Sequence, residues 1–184
     1  MSSMTERVAT AGPVFLEAGS DARRAAVLDL NVEYMSWLFE AFERHFGIDI
    51  AAVLGASAAD YVRSKIDAIC GERPPEGVFY LVEVDGRPAG MGGLRRLDAG
   101  TCEIKRIFVR PEFRGLGLGE RILERLLDDG RAFGYRSARL ESGPFMTHAH
   151  RAYERLGFAD RAPYAQAEVP APFHSRWRFM EREL

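Results

Sequence analysis

Arg114-Gly115-Leu116-Gly117-Leu118-Gly119 stands between two runs of different period. Before it, Thr101 to Val109 is rich in β-branched and apolar residues and predicts a strand. After it, Ile122, Leu123, Leu126 and Leu127 share one helical face, and Gly134 supplies a stop after Phe133. A loop at this junction sits on a helix N-terminus, where unpaired N–H groups and a partial positive charge hold phosphate. Glycines at 115, 117 and 119 keep side chains out of an anion's way. Arg114 adds a cation at the edge of the site, and Pro111 stiffens the approach. Arg114, Gly115, Leu116, Gly117, Leu118 and Gly119 are therefore the candidate phosphate-binding residues. A P-loop would close on Gly-Lys-Ser/Thr, but Gly119 is followed by Glu120 and Arg121. A dinucleotide fingerprint counted from Gly115 would need its third glycine where Glu120 stands. Glu141 does lie about where a ribose-binding acid would be, but the loop follows a meander rather than the first strand of a domain.

Working outward, Asp85-Gly86 is a hairpin signal that joins Val78–Val84 to a return strand carrying Ala89-Gly90-Met91-Gly92-Gly93-Leu94. So many glycines weaken a strand unless a bulge or a close neighbour requires them. Asp98-Ala99-Gly100 makes the next turn, so residues 78–109 form a three-stranded meander. On the N-terminal side, Glu72 to Gly77 is a Pro/Gly loop. Upstream of it lie two helices. One starts at the candidate cap Asp21 and stops at Gly47, and the other starts at Ser57, which has capping-box spacing to Asp60. Residues 1–19 read as an arm or edge strand. On the C-terminal side follow a strand from Ala138 to Ser142, a short helix from Thr147 to Leu156 stopped by Gly157, a strand opening at Phe158, and a last strand from Ser175 to Glu183. The order α, α, β, β, β, α, β, α, β, β predicts one mixed α/β domain over 1–184.

The composition narrows the function. With 25 basic and 27 acidic side chains the net charge is −2, so no basic footprint points to nucleic acid. No apolar run reaches the roughly 18–20 residues of a membrane span, and Met1 to Thr10 lacks a secretory core. A cytoplasmic location, with no nucleic-acid or membrane partner, is the expectation. Cys70 and Cys102 have no CxxC partner, so they are expected to be reduced, part-buried thiols and no metal site is expected.

The loop Arg114 to Gly119 fits the Gln/Arg-x-x-Gly-x-Gly/Ala pattern of the GNAT family of N-acetyltransferases, which the chain resembles from about Val78 to Phe158. The resemblance extends to Glu103–Phe113 before the loop and to Tyr153-Glu154-Arg155-Leu156-Gly157-Phe158, with its tyrosine four residues ahead of Gly-Phe. It implies an acyl-CoA N-acyltransferase fold, a central twisted mixed sheet flanked by helices, and acetyl-CoA as cosubstrate. It also implies that the central strand and the strand after the phosphate helix splay apart. The pantetheine arm would then pair with backbone groups of Ile107, Phe108 and Val109. Many members carry Asn seven residues before the tyrosine; Met146 stands there.

The reaction so implied moves an acetyl group to a primary amine of a small molecule or peptide. Such attack needs a deprotonated amine, a stabilised oxyanion and a protonated leaving thiol. By resemblance Tyr153 is the general acid; the alternative is a core tyrosine. Glu103, on the central strand, is the candidate base, directly or through water; the alternative is a salt bridge to Lys105 or Arg106. His148 and His150 read as solvated helix residues. For the acceptor, Tyr34, Trp37, Glu40 and Glu43 are candidates, with Pro170 to His174 as a lid. The resemblance implies a possible homodimer, with the final strand as its interface. A CoA-binding regulatory module without turnover is the competing function, and it fits less well because Tyr153 and the glycines are all present.

Overall fold

A computed structural model describes residues 12–184. The leader reading of Met1 to Thr10 lies outside the described residues. A seven-stranded sheet runs in the order β1-β2-β3-β4-β5-β7-β6. β1 (Val14–Glu17) is the edge strand expected near the N-terminus and pairs antiparallel with β2 (Val78–Val84). β2, β3 (Arg87–Arg96) and β4 (Thr101–Val109) form the predicted meander. Positive φ at Asp85 (51°) and Gly86 (71°) matches the hairpin turn that the pair requires. β5 (Ser137–Ser142) joins β4 in the only parallel pairing among the described strands.

Strand alternation splits the core into two layers. Tyr80 and Val82 point to the face covered by α4 (Leu118–Ala132), where Ile122, Leu123, Leu126 and Leu127 are fully buried. Phe79 and Leu81 point to the other face, against Val27 and Leu30 of α1 (Asp21–Phe46). α1 begins one residue earlier than the sequence suggests. Ser20, not Asp21, is the N-cap, and its side chain accepts from the Arg23 amide at 3.4 Å. Gly47 closes the helix in the left-handed region at φ 68°.

A short helix that the periodicity does not announce, α2 (Ile50–Leu54), follows Asp49 as its cap. α3 (Ala58–Ile69) begins at Ser57 as expected, and Arg24 to Asp67 at 2.6 Å ties it to α1. Its capping box is incomplete. Asp60 is too short to reach back to the cap's backbone and instead accepts from the Ser57 hydroxyl at 2.7 Å.

The glycines of β3 have a packing reason. A Cβ at Gly92 would lie 2.6 Å from Ile122 Cγ2, and one at Gly93 would overlap the Phe79 ring. Their absence lets α4 and Phe79 approach opposite faces of the strand. Gly92 also faces both Arg106 and Ile107 across a β-bulge, and Arg106 takes a positive φ of 55°.

The C-terminal reading needs correction. α5 (Thr147–Arg155) is present, and β6 (Ala159–Asp160) is only two residues long. β7 spans Arg178–Glu183, because Ala171–Arg176 is a 3₁₀ helix started by the Pro170 and Pro172 region. β7 lies between β5 and β6 and pairs antiparallel with both. Both cysteines are free and fully buried. No helix among the described residues is long and apolar enough to cross a membrane.

Candidate active site

β4 and β5 pair only from Thr101↔Ser137 to Glu103↔Arg139. Beyond that point they part. β4 continues to Val109 along β3, and β5 continues to Ser142 along β7, so each strand turns one edge to the gap. A cavity of about 1410 Å³ occupies that gap and extends toward α1 and α2. It exceeds the roughly 300–1,000 Å³ of a pocket for one drug-sized ligand, so it has room for two substrates.

At one end lies the glycine loop. Gly115 (φ 78°) and Gly117 (φ 70°) are left-handed, and a Cβ on either would meet nothing within 4 Å. Their requirement is conformational, while the open space around them is where an anion would approach. Gly117 is the N-cap of α4 and offers no side-chain cap. The first backbone hydrogen bond back to it comes from Arg121, which leaves the amides of Leu118, Gly119 and Glu120 without helical partners. Arg114 Nε donates to the Val109 carbonyl at 3.0 Å, and its guanidinium sits over the Phe108 ring at 5.9 Å. The cation is thus held at the end of β4, and of the three candidate pantetheine residues Val109 already has its carbonyl engaged. Ile107, Phe108 and Val109 all border the cavity. The residues present therefore fit a coenzyme with a pyrophosphate and an extended arm.

At the centre, Tyr153 on α5 is half-buried and borders the cavity; burial, and then the neighbouring Tyr34, push its hydroxyl well above the usual tyrosine range. The hydroxyl therefore carries its proton near neutral pH. Tyr34 on α1 is raised to about 12, chiefly by burial; Arg106 pulls it down while Glu168 and Glu141 push it up. These opposing influences place Tyr153, Tyr34 and the two carboxylates in one electrostatic neighbourhood.

Glu103 also borders the cavity but is only 1% exposed, with both oxygens engaged. Oε2 accepts from Arg95 Nε at 2.6 Å and lies 3.7 Å from Lys105 Nζ, while Oε1 accepts from the Tyr164 hydroxyl at 2.6 Å. Of the two ion pairs the sequence offered for it, the one to Lys105 forms. Arg106 turns instead to Asn31 Oδ1 at 3.2 Å and toward Glu168 at 3.9 Å.

The carboxylate that sequence reasoning missed is Glu141. It sits on β5 just past the point where the strands part, and burial raises it to about 7, with repulsion from Glu103 adding and the Val169 amide opposing. Its Oε1 accepts from the amides of Glu168 and Val169, both at 3.1 Å. The signal available was its place on the strand two residues beyond Arg139, which pairs with Glu103. Glu168 is in turn pulled below the usual carboxylate range: burial opposes ionisation, but Lys105 and Arg106 outweigh it.

Elsewhere the placement is mixed. Tyr34 and Trp37 border the cavity, as do Pro170, Pro172 and Phe173 of the segment expected to cover it; Glu40 and Glu43 do not. His150 is part-buried: its Nε2 lies 3.0 Å from Ser142 Oγ, and burial, followed by Arg178, lowers its pKa. Met146 borders the cavity as well.

Residues 32–158 match the family model described as the acetyltransferase (GNAT) family. The chain belongs to the GNAT family. It is 36% identical over 91 residues to the IAA acetyltransferase of Azospirillum brasilense, covering 49% of this chain and 60% of that protein. It is 30% identical over 87 residues to the uncharacterized N-acetyltransferase YjgM of Escherichia coli, covering 46% of this chain and 52% of that protein. The chain thus spans little more than half the length of these curated relatives. In fold, this GNAT protein is similar to an acetyltransferase from Streptococcus agalactiae, with a TM-score of 0.69 over 94% of this chain and 99% of that one at 20% identity. It is also similar to the PaiA N-acetyltransferase of Thermoplasma acidophilum in complex with coenzyme A, with a TM-score of 0.63 over 95% and 100% at 14% identity.

Proposed function

We propose that this GNAT protein transfers the acetyl group of acetyl-CoA to a primary amine by direct attack in a ternary complex. The observation that carries the reading is the parting of β4 and β5 beyond Glu103, beside an uncapped helix N-terminus and flanked by Glu141 and Tyr153. Acetyl-CoA supplies the thioester. The amides of Leu118, Gly119 and Glu120, with Arg114, hold the pyrophosphate. The edge of Ile107 to Val109, apart from the Val109 carbonyl, takes the pantetheine arm, and a backbone N–H of that edge stabilises the oxyanion.

Glu141 is the proton acceptor in this reading, in place of Glu103. A carboxyl held at about 7 is balanced between the forms a base must exchange near neutrality. Glu103, with Arg95 and Tyr164 on its oxygens, holds the scaffold. Glu141 takes one proton from the ammonium, the freed nitrogen bonds the carbonyl carbon, the C–S bond breaks as Tyr153 donates its proton to the departing sulfur, and the acylated nitrogen returns its second proton to Tyr153.

Calorimetric titration with acetyl-CoA, with NAD as control, followed by thiol release across an amine panel, tests this. Binding with release supports transfer. Binding of acetyl-CoA with no release from any amine reduces the protein to a CoA-binding module, and no binding removes the reading.

A further inference from the structure

The cavity is much longer than the reacting centre needs, and its far end is built of rings. From Tyr34, beside Tyr153, ring centroids run to Trp37 at 6.3 Å, on to Phe145 at 5.8 Å, to Trp177 at 5.9 Å, to Phe42 at 5.3 Å and to Phe173 at 5.4 Å. All six border the same cavity. Only Phe42 is fully buried; the others are left half-buried, unlike the closed layers beneath the sheet. They come from three separate elements: α1, the turn after β5, and the 3₁₀ segment before β7. The rings pack on one another and still turn part of their surface to the open cavity, which is how an apolar ligand site is lined. At the mouth, α2 adds Ile50, Val53 and Leu54; it buries none of its residues, and Val53 is 69% exposed. Apolar surface left this open is stabilised only when something covers it.

Charge then narrows the occupant. The anions at the inner end are Glu141 and Glu168, both of which bear on Tyr34. The cations there are committed: Lys105 to Glu168 and Glu103, and Arg106 to Asn31 and Glu168. Near the rings, Arg176 lies over Phe46 at 5.7 Å and does not border the cavity. Arg151 and His148 of α5 also border the cavity, and His45 lies 5.7 Å from the Phe145 ring. Glu40 and Glu43, which would meet a second ammonium, lie outside the cavity. The rings and the two carboxylates suit one amine on an aromatic body.

We propose that the acceptor is an arylalkyl monoamine, its ring held among Trp37, Phe145, Phe173 and Trp177 and its nitrogen directed toward Glu141. This rests on the acetyl-transfer reading above and names the substrate class for the same site. The test is thiol release from acetyl-CoA with 2-phenylethylamine, ethylamine, phenylalanine and spermidine. These keep the ring, delete it, add a carboxylate and replace the ring with charge. Burying an aryl group makes kcat/KM for phenylethylamine roughly 10–100-fold above that for ethylamine.

Phe173→Ala should shrink the phenylethylamine-to-ethylamine ratio, and Phe173→Leu should restore part of it. If these variants fail to fold, the wild-type series alone decides. Equal rates for phenylethylamine and ethylamine, or preference for spermidine or phenylalanine, overturn the substrate class while leaving amine acetylation intact. Acetyl-CoA binding with no release by any of the four amines, or by a wider panel, overturns the transfer reading and this inference with it.

Discussion

Replacing Glu141 with glutamine should separate activity from stability in opposite directions. The carboxyl is raised from 4.5 to about 7 by burial first and by Glu103 second, so ionising it inside the protein is unfavourable. The unfolded chain gives up this proton near pH 4.5 and the folded one near 7. Stability therefore falls as pH rises through that window, and the full penalty applies above it. A displacement of that size corresponds to at most about 3 kcal/mol, which partial exposure and screening reduce to about 1–2 kcal/mol. Glutamine keeps an oxygen for the Glu168 and Val169 amides, because Glu141 accepts both through Oε1, and it removes the charge. Glu141→Gln should thus raise the melting temperature by about 2–6 °C at pH 8 and by little at pH 5. It should also lower kcat/KM by roughly 10²–10⁴-fold. In the wild type, kcat/KM should climb with unit slope to a plateau, with its midpoint near pH 7. The assays are thiol release from pH 5.5 to 9 and thermal denaturation at both ends. A variant with full activity and an unchanged profile would sink the assignment of Glu141 as base. A variant less stable at both pH values would make Glu141 a scaffold residue.

Glu103→Gln should behave in the opposite way, losing about 2 kcal/mol because Arg95 and Lys105 keep their charges beside a neutral amide; a lower melting temperature at pH 8 checks this. Tyr153→Phe should lower kcat by roughly 10–10²-fold with acetyl-CoA affinity unchanged by calorimetry. Gly117→Ala forces a side chain into the left-handed region at φ 70°, costs about 1 kcal/mol and should weaken acetyl-CoA binding by calorimetry. Gly92→Ala drives a methyl to within 2.6 Å of Ile122, so denaturant titration should show a loss of about 1–3 kcal/mol.

The sequence was most informative where local chemistry and tertiary role coincide. The loop 114–119, the meander and the α4 stripe were all legible because glycines, turn residues and apolar period act at short range. The α1 cap shifted by one residue because Ser20 and Asp21 are both good caps and only the chain's entry angle chooses between them. α2 escaped notice because five residues are too few to show a period, and β7 began late because the prolines set up a 3₁₀ turn that alternation does not reveal. Glu103 and Glu141 are the instructive pair. From sequence they are two strand glutamates. Which one is neutralised by neighbours and which is left desolvated depends on Arg95, Tyr164 and residues 168–169, brought together from distant parts of the chain.

The hydrogen bonds from Glu168 and Val169 to Glu141 join two equilibria that are usually considered apart. A charged carboxylate accepts N–H bonds more strongly than a neutral one. Proton affinity at position 141 and the seating of residues 168–169 are therefore linked reciprocally. Any occupant that presses this segment down makes Glu141 a stronger acid, and any proton delivered to Glu141 loosens the segment's hold. A molecule that closes the cleft is thus felt at the titrating group, and hydrogen exchange of these two amides should track pH through the same midpoint as catalysis.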